Sequence, residues 1–358
     1  MKVSFYHLGN MWLGLKAMVE KMGIEIVLPP KMTNKTLAFG TKHSPESACE
    51  PFKYILGEYK EALEAGADTI FHLESYQRIG CRIPQYTTGT KAILNRLGYN
   101  YQTIPLGGIE RKETYEMFKK GNPDLSYAKF NLALLFGIAK MKYIEWLEDL
   151  TSQLRPFEKN KGDCNRLMSQ GLKILDEVKT MKGLLPAKAK IKLLASKIGP
   201  DRSRRPKRVM VVGDLYRILE HFANNNVFEK LGDLGVIPYR SFYLSENLRY
   251  YSKLGPWGKK SFKNKWQIAE PYIDKQLAFG TAEAVADTLI AIKEKKIDGI
   301  IHTYNFTCMP EIVNNVIFHK ISKDFNIPLL SLSAGEHQAE AYHTTRIEAF
   351  VDMLNRKK

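Results

Sequence analysis

Three of the four cysteines stand in turns that could deliver a thiolate to a metal. Cys49 lies in Lys42-His43-Ser44-Pro45-Glu46-Ser47-Ala48-Cys49-Glu50-Pro51-Phe52-Lys53. Cys81 lies in Ile79-Gly80-Cys81-Arg82, and Cys308 in Asn305-Phe306-Thr307-Cys308-Met309-Pro310-Glu311. A proline follows each within three residues. Cys49 and Cys308 precede expected helix starts, where the helix dipole favours a thiolate. The fourth, Cys164, sits in a polar helical stretch and reads as a buried small hydrophobe. Four cysteines in 358 residues, with no C-x-x-C pair, form neither a disulfide framework nor a zinc ribbon. Thiolates suit zinc and iron–sulfur centres. A structural zinc would take a fourth ligand, with His43 or His302 the candidates. A [4Fe–4S] cluster held by three cysteines would leave one iron open. Spacing alone leaves both readings standing.

The elements that must position these turns alternate between strands and helices. Strands are expected at Lys2 to Leu8, Ile24 to Leu28, Ala67 to Leu73 and Tyr99 to Leu106. Helices are expected at Trp12 to Met22, Pro51 to Ala65 and Thr90 to Leu97. From Lys112 to Ser196 the pattern turns helical and rich in Leu, Lys, Met and Glu, ending in the Gly199-Pro200 and Arg205-Pro206 breaks. The alternation then restarts. Strands are expected at Arg208 to Asp214, Val236 to Leu244, Asp298 to Tyr304 and Ile327 to Leu332. Helices are expected at Asn225 to Leu234, Thr281 to Lys295, Pro310 to Phe325 and Thr344 to Leu354.

This predicts an α/β protein of two Rossmann-like lobes, with parallel sheets facing each other across a cleft and a helical middle segment. The expected divisions are 1–111, 112–206 and 207–358. The lobes look related: Asp68-Thr69-Ile70-Phe71-His72-Leu73 resembles Asp298-Gly299-Ile300-Ile301-His302-Thr303, and a cysteine-bearing turn follows each. Ligands of open α/β sheets bind beyond the C-terminal strand ends, so Cys81 and Cys308 should share one cleft.

No apolar run reaches the length of a membrane span, and the N-terminus reads as a strand rather than a signal peptide. A cytoplasmic protein with no membrane partner is expected. The net charge is +16. Between Lys182 and Arg208, ten basic residues stand against the single acid Asp201. That segment reads either as a solvated helix and linker or as a contact for an acidic partner. It has no aromatic-interleaved stripe and no nucleic-acid motif, so nucleic acid is not the expected partner.

Taken together, several runs resemble the 2-hydroxyacyl-CoA dehydratase D-component superfamily and its double-cubane-cluster relatives. They are Lys42 to Lys53 with Gly57-Glu58-Tyr59, Gly66-Ala67-Asp68-Thr69-Ile70, Gly80-Cys81-Arg82, Val212-Gly213-Asp214-Leu215-Tyr216, Asn226 to Gly235, and Phe306 to Glu311. Glu336-His337 through Glu340 and Thr345 to Asp352 extend the match to the stand-alone branch labelled CoA protein activase. The resemblance implies that Cys49, Cys81 and Cys308 ligate an iron–sulfur cluster, either [4Fe–4S] or a larger double-cubane centre. It also implies electrons from a separate ATP-dependent activator, an acyl-CoA or other small substrate, and paired subunits in a homo- or heterodimer. The chemistry would be that of a reductase or a 2-hydroxyacyl-CoA dehydratase component, or else of an electron-carrying subunit.

Within that frame, Lys42, His43 and Lys53 are candidates for a phosphate or the CoA diphosphate, and Arg82 for balancing cluster charge. Glu336, His337 and Glu340 follow the last expected strand and should face the cleft, with His337 a candidate proton donor. His72 and His302 read as core histidines, and Arg346 as a helix salt-bridge residue. Two positions depart from the branch: Gly335 stands where an Asp is common, and Asp214 where a Glu is. No Walker-type loop is present, so no ATPase activity is expected of this chain.

Overall fold

The computed structural model describes the chain apart from residues 74–81, 83–84, 107–109, 202, 252–263, 274–279, 336–339 and 357–358. The first lobe runs β1 (Lys2–Ser4), α1 (Trp12–Lys21), β2 (Glu25–Ile26), α2 (Asn34–His43), α3 (Glu50–Glu64), β3 (Thr69–Leu73), α4 (Tyr86–Arg96) and β4 (Gln102–Leu106). A helical stretch follows: α5 (Arg111–Lys119), α6 (Tyr127–Leu154), α7 (Asp163–Glu177) and α8 (Leu184–Ala195). The second lobe runs β5 (Lys207–Gly213), α9 (Leu215–Leu219), α10 (Val227–Asp233), β6 (Val236–Arg240), α11 (Leu244–Tyr251), α12 (Thr281–Lys293), β7 (Gly299–Asn305), α13 (Met309–Asp324), β8 (Leu329–Ala334) and α14 (Glu340–Arg356).

Both sheets are parallel, and they share one strand order. The first is β2-β1-β3-β4 and the second β6-β5-β7-β8. β3 and β7 therefore occupy equivalent places, as the paired Asp-x-x-x-His runs anticipate. The repeated residues do equivalent work. Asp68 accepts from the Lys2 amide at 2.9 Å, and Asp298 from the Arg208 amide at 2.7 Å, so each aspartate pins the start of its lobe's first strand. His72 bonds Thr87 of α4 at 2.7 Å, and His302 bonds Glu311 of α13 at 2.8 Å. Each buried histidine ties its strand to the helix that crosses over next.

β1 is shorter than expected although Phe5, Tyr6 and Leu8 are buried. Backbone amides beyond Ser4 are satisfied by carboxylates instead of a neighbouring strand. His7 N–H donates to Glu58 and Gly9 N–H to Glu220, both at 2.8 Å. Burial thus persists where strand pairing stops. Helices also fall where none is expected, among them α2, α9 and α11. α2 starts from a capping box between Thr33 and Thr36. α11 occupies the chain after β6, which ends at Arg240 rather than Leu244. α2 lies against α3 at backbone contact distance: a Cβ on Gly40 would strike the Lys53 carbonyl, and one on Gly57 the Thr36 carbonyl.

α6 is the long brace. Its 28 residues span about 42 Å at 1.5 Å per residue. It packs on α1 of the first lobe, and on β6 and α11 of the second. Glu148 on α6 accepts from Asn10 of the first lobe at 2.7 Å and from Arg240 of β6 at 2.6 Å. Glu145, one turn earlier, takes the Ser245 amide at 2.9 Å. No helix among the described residues is long and apolar enough to cross a membrane.

Candidate functional site

The site forms where the C-terminal end of the second sheet meets the start of α3. β5 and β7 are adjacent, and β5 leads to β6 on one side while β7 leads to β8 on the other. Their shared C-terminal edge is the switch point at which parallel sheets open a crevice. Asp214 follows β5 there, and Asn305 closes β7. The Asn305 amide donates to Asp214 at 2.7 Å. Two residues further on, Thr307 leads into Cys308.

Cys308 is the N-cap residue of α13 and Cys49 that of α3. Both backbones are extended, with a proline in the first helical turn and no side-chain cap. The prolines suit that turn because its N–H groups have no intrahelical acceptor. Two helix N-termini, one from each lobe, thus direct their positive ends at the same place. The turns are tied together directly. The Arg82 guanidinium donates to the Ser47 carbonyl and to the Thr307 carbonyl, each at 3.0 Å. The Thr307 hydroxyl meets the Ala48 carbonyl at 3.4 Å. Both cysteines are partly exposed. Burial pushes the Cys308 thiol well up, and the nearby Asp214, Glu311 and Cys49 push it further.

Beneath the thiols lies a buried charged network that the sequence did not single out. Glu50, next to Cys49, pairs with Arg217 of α9 and accepts from Tyr54 at 2.7 Å. Arg217 also donates to Asn305 at 3.0 Å and to the Ala223 carbonyl. Asp214 caps α9 by accepting from the Tyr216 and Arg217 amides. Burial, with Glu311 close by, raises its carboxyl to about 7. Tyr86, at the start of α4, reaches the Cys49 sulfur with its hydroxyl. No local pattern marks Tyr86 or Arg217. The one usable signal was Asp214 three residues before Arg217, a helix-capping spacing.

The other expected site residues fall as follows. Cys81, Glu336 and His337 lie outside the described residues. Glu340 opens α14, and Gly335 follows β8, whose last residue Ala334 accepts from the Phe306 amide at 2.8 Å. The segment after β8 therefore leaves from the same edge as the Cys308 turn. Lys42 and His43 end α2, where basic side chains also complement the helix C-terminus. The His43 ring lies tilted against Phe39 with centroids 4.6 Å apart, and Lys42 is exposed. The five residues Ser44 to Ala48 separate this pair from Cys49. Lys53 is buried in α3. Cys164 is fully buried beside Glu158, and burial holds its thiol protonated. Arg346 lies over the Tyr342 ring, 5.3 Å from its centroid, and among the described residues it forms no carboxylate pair. Among the described residues, no three His, Cys, Asp or Glu side chains gather as a single metal ion would require. His302 already engages Glu311 and Asn315.

An apolar rim adjoins Cys308. Phe306, Met309, Ile312, Val313 and Val316 are exposed, Phe306 by 71% and Val316 by 68%. The last four recur at the spacing of one helix face.

Two parallel α/β lobes of identical strand order, with a cysteine-bearing helix start from each at the switch point, define a two-lobed cleft protein. The chain belongs to the 2-hydroxyglutaryl-CoA dehydratase D-component family, whose model matches residues 109–354. The match takes in the helical stretch and the second lobe as far as residue 354, including Cys308, while Cys49 and Cys81 precede it. No curated protein matches the chain.

Proposed function

We propose that this chain is an iron–sulfur protein whose cluster is held by Cys49, Cys81 and Cys308. It would accept low-potential electrons from a separate ATP-dependent activator and use them in reduction or dehydration chemistry of the 2-hydroxyacyl-CoA dehydratase type. The observation that carries this is the joining of the Cys49 and Cys308 turns through Arg82 and through Thr307 to Ala48. Two cysteine-bearing turns from different lobes meet at the sheet edge where ligands of open α/β sheets bind. The donor set fits a thiolate-ligated, anionic centre, since Arg82 and two helix N-termini supply positive potential around it. When bound, the cluster would supply one-electron chemistry and, with three protein ligands, an open iron.

The chain's own residues would act around it. Arg82 holds the two turns in register. Tyr86 donates to the Cys49 sulfur, and the Glu50–Arg217–Asn305–Asp214 network keeps the floor rigid. Lys42 and His43 are proposed to meet the phosphates of an acyl-CoA, and Glu336, His337 and Glu340 to supply or take protons at the substrate. The divisions at 1–111, 112–206 and 207–358 fit this reading, because the two sheets lie at 2–106 and 207–334. A cytoplasmic site of action fits the oxygen sensitivity of such centres.

One observation favours a second reading, that of an electron-carrying subunit without its own substrate. The apolar rim from Phe306 to Val316 would seat a partner directly over Cys308. A homo- or heterodimer would cover it.

The test is iron and sulfide content after anaerobic purification, with EPR before and after reduction. Cys49→Ser, Cys81→Ser and Cys308→Ser should each lose cluster, and Cys164→Ser should keep it. Iron loss confined to Cys164→Ser, or one stoichiometric zinc in place of iron, would overturn the proposal.

A further inference from the structure

The face of α8 turned away from the protein does not resemble a solvated helix face. Leu184, Ala187 and Ile191 point inward and are buried. Lys188 clamps that inner side, its ammonium 4.7 Å from the Trp146 ring and 5.7 Å from the Tyr143 ring of α6. On the outer side Leu185 is 68% exposed and Leu193 62%, with Ala189 exposed between them. Met181, in the turn leading into α8, is 54% exposed.

Projected at 3.6 residues per turn, Leu185, Ala189 and Leu193 form the outward ridge. Lys192 flanks it on one side and Lys190 on the other, and Lys197 follows in the turn beyond the helix end. No Asp or Glu occurs from Thr180 to Pro200. Among the described residues, Lys182, Lys190, Lys192 and Lys197 have no carboxylate partner.

Apolar crest and lysine flanks together select the partner. Protein interfaces favour aromatics, Met and Arg in their cores and are depleted in Lys. Nucleic-acid surfaces interleave their basic residues with stacking aromatics, and no Phe, Tyr or Trp occurs from Thr180 to Pro200. A leucine ridge between lysines is the arrangement of helices that lie in the lipid interface. There the leucines enter the acyl boundary, and the lysine stems extend outward so that their ammonium groups meet anionic headgroups. We propose that α8 is a peripheral docking surface for an anionic lipid bilayer, holding the protein on the membrane without crossing it. This goes beyond the expectation of no membrane partner, which rested on the lack of a spanning segment. It does not depend on the cluster assignment.

The test is flotation of the full-length protein with phosphatidylcholine vesicles, with and without about 30% phosphatidylserine. The protein should float only with the anionic vesicles, and less as salt rises. L185S/L193S and K190E/K192E should each weaken partitioning roughly tenfold or more, because either the apolar or the electrostatic contribution is lost. All four positions are exposed, so thermal unfolding of the variants should match that of the parent. An L193W reporter should shift its emission to the blue on anionic vesicles.

Three results would overturn the proposal. One is absence of flotation at low salt. Another is binding that depends on the lysines but is indifferent to L185S/L193S, with equal capture by polyglutamate, which would assign the face to an acidic protein. The third is leucine-dependent self-association without vesicles, which would assign it to a second copy of the chain.

Discussion

Arg217 and Glu50 form an ion pair buried across the junction of the two lobes, with neither side chain more than 5% exposed. Tyr54 holds the other Glu50 oxygen, and Asn305 holds the Arg217 Nε. The pair joins the residue after Cys49 to the end of the strand that leads to Cys308.

Removing one partner leaves the other charge buried. Arg217→Met should therefore cost roughly 3–5 kcal/mol of unfolding free energy, read from the shift of a denaturant midpoint. The double variant Arg217→Met/Glu50→Gln should recover much of that loss. A single variant as stable as the parent would show that the pair bears no weight at the junction.

Arg82 grips two carbonyls from two lobes, a task for a forked donor. Arg82→Ala should speed amide exchange around Ser47 and Thr307 and lower the iron retained per chain. Arg82→Lys should restore little, because one ammonium does not reproduce the two divergent N–H groups. Equal iron content in all three proteins would separate Arg82 from the cysteine pair.

Tyr86→Phe removes the hydroxyl at the Cys49 sulfur and leaves the ring on Phe52, with centroids 5.0 Å apart. Iron content should stay unchanged, while the reduction potential in an EPR-monitored titration falls, since a hydrogen bond to a ligating sulfur favours the more negative state. An unchanged potential would make Tyr86 a packing residue only.

Glu145 carries a pH signature. Burial raises its carboxyl from the ordinary 4.5 to about 7, despite the bonds from Ser245. The folded chain therefore holds this proton more tightly than the unfolded chain. Stability should fall between pH 4.5 and 7 and level off above, by roughly 3 kcal/mol for a shift of that size. Glu145→Gln should flatten that part of the profile, measured as midpoint against pH. A slope identical to the parent's would assign it to other groups.

Gly40 and Gly57 let α2 and α3 touch backbone to backbone. Gly40→Ala or Gly57→Ala should cost about 1–3 kcal/mol by forcing the helices apart. Because Cys49 is the N-cap residue of α3, the displaced pair should also lower iron content. Loss of stability without loss of iron would uncouple the packing from the site.

Much of this was legible in the chain. The Asp-x-x-x-His repeat marks equivalent strands because its residues serve one lobe internally, Asp68 on Lys2 and Asp298 on Arg208. The cysteine turns were legible because proline after an N-cap is a local signal. Residues whose partners are distant in sequence were not. Arg217 finds Glu50 167 positions away, and Tyr86 finds Cys49 across 37. β1 stops short of the expected Leu8 because the chain stays buried that far while its amides turn to Glu58 and Glu220. α2 was missed because its capping box joins two threonines rather than the usual Ser or Thr with Glu or Gln.

The brace α6 carries a mechanical consequence. It is fastened to Asn10 on one lobe and to Arg240 and Ser245 on the other, through residues other than those that tie the cysteine turns. The angle between the lobes is therefore set independently of whatever occupies the cleft. Scattering curves of metal-free and loaded protein should superimpose, and the empty chain should accept its cofactor into a socket whose walls already stand.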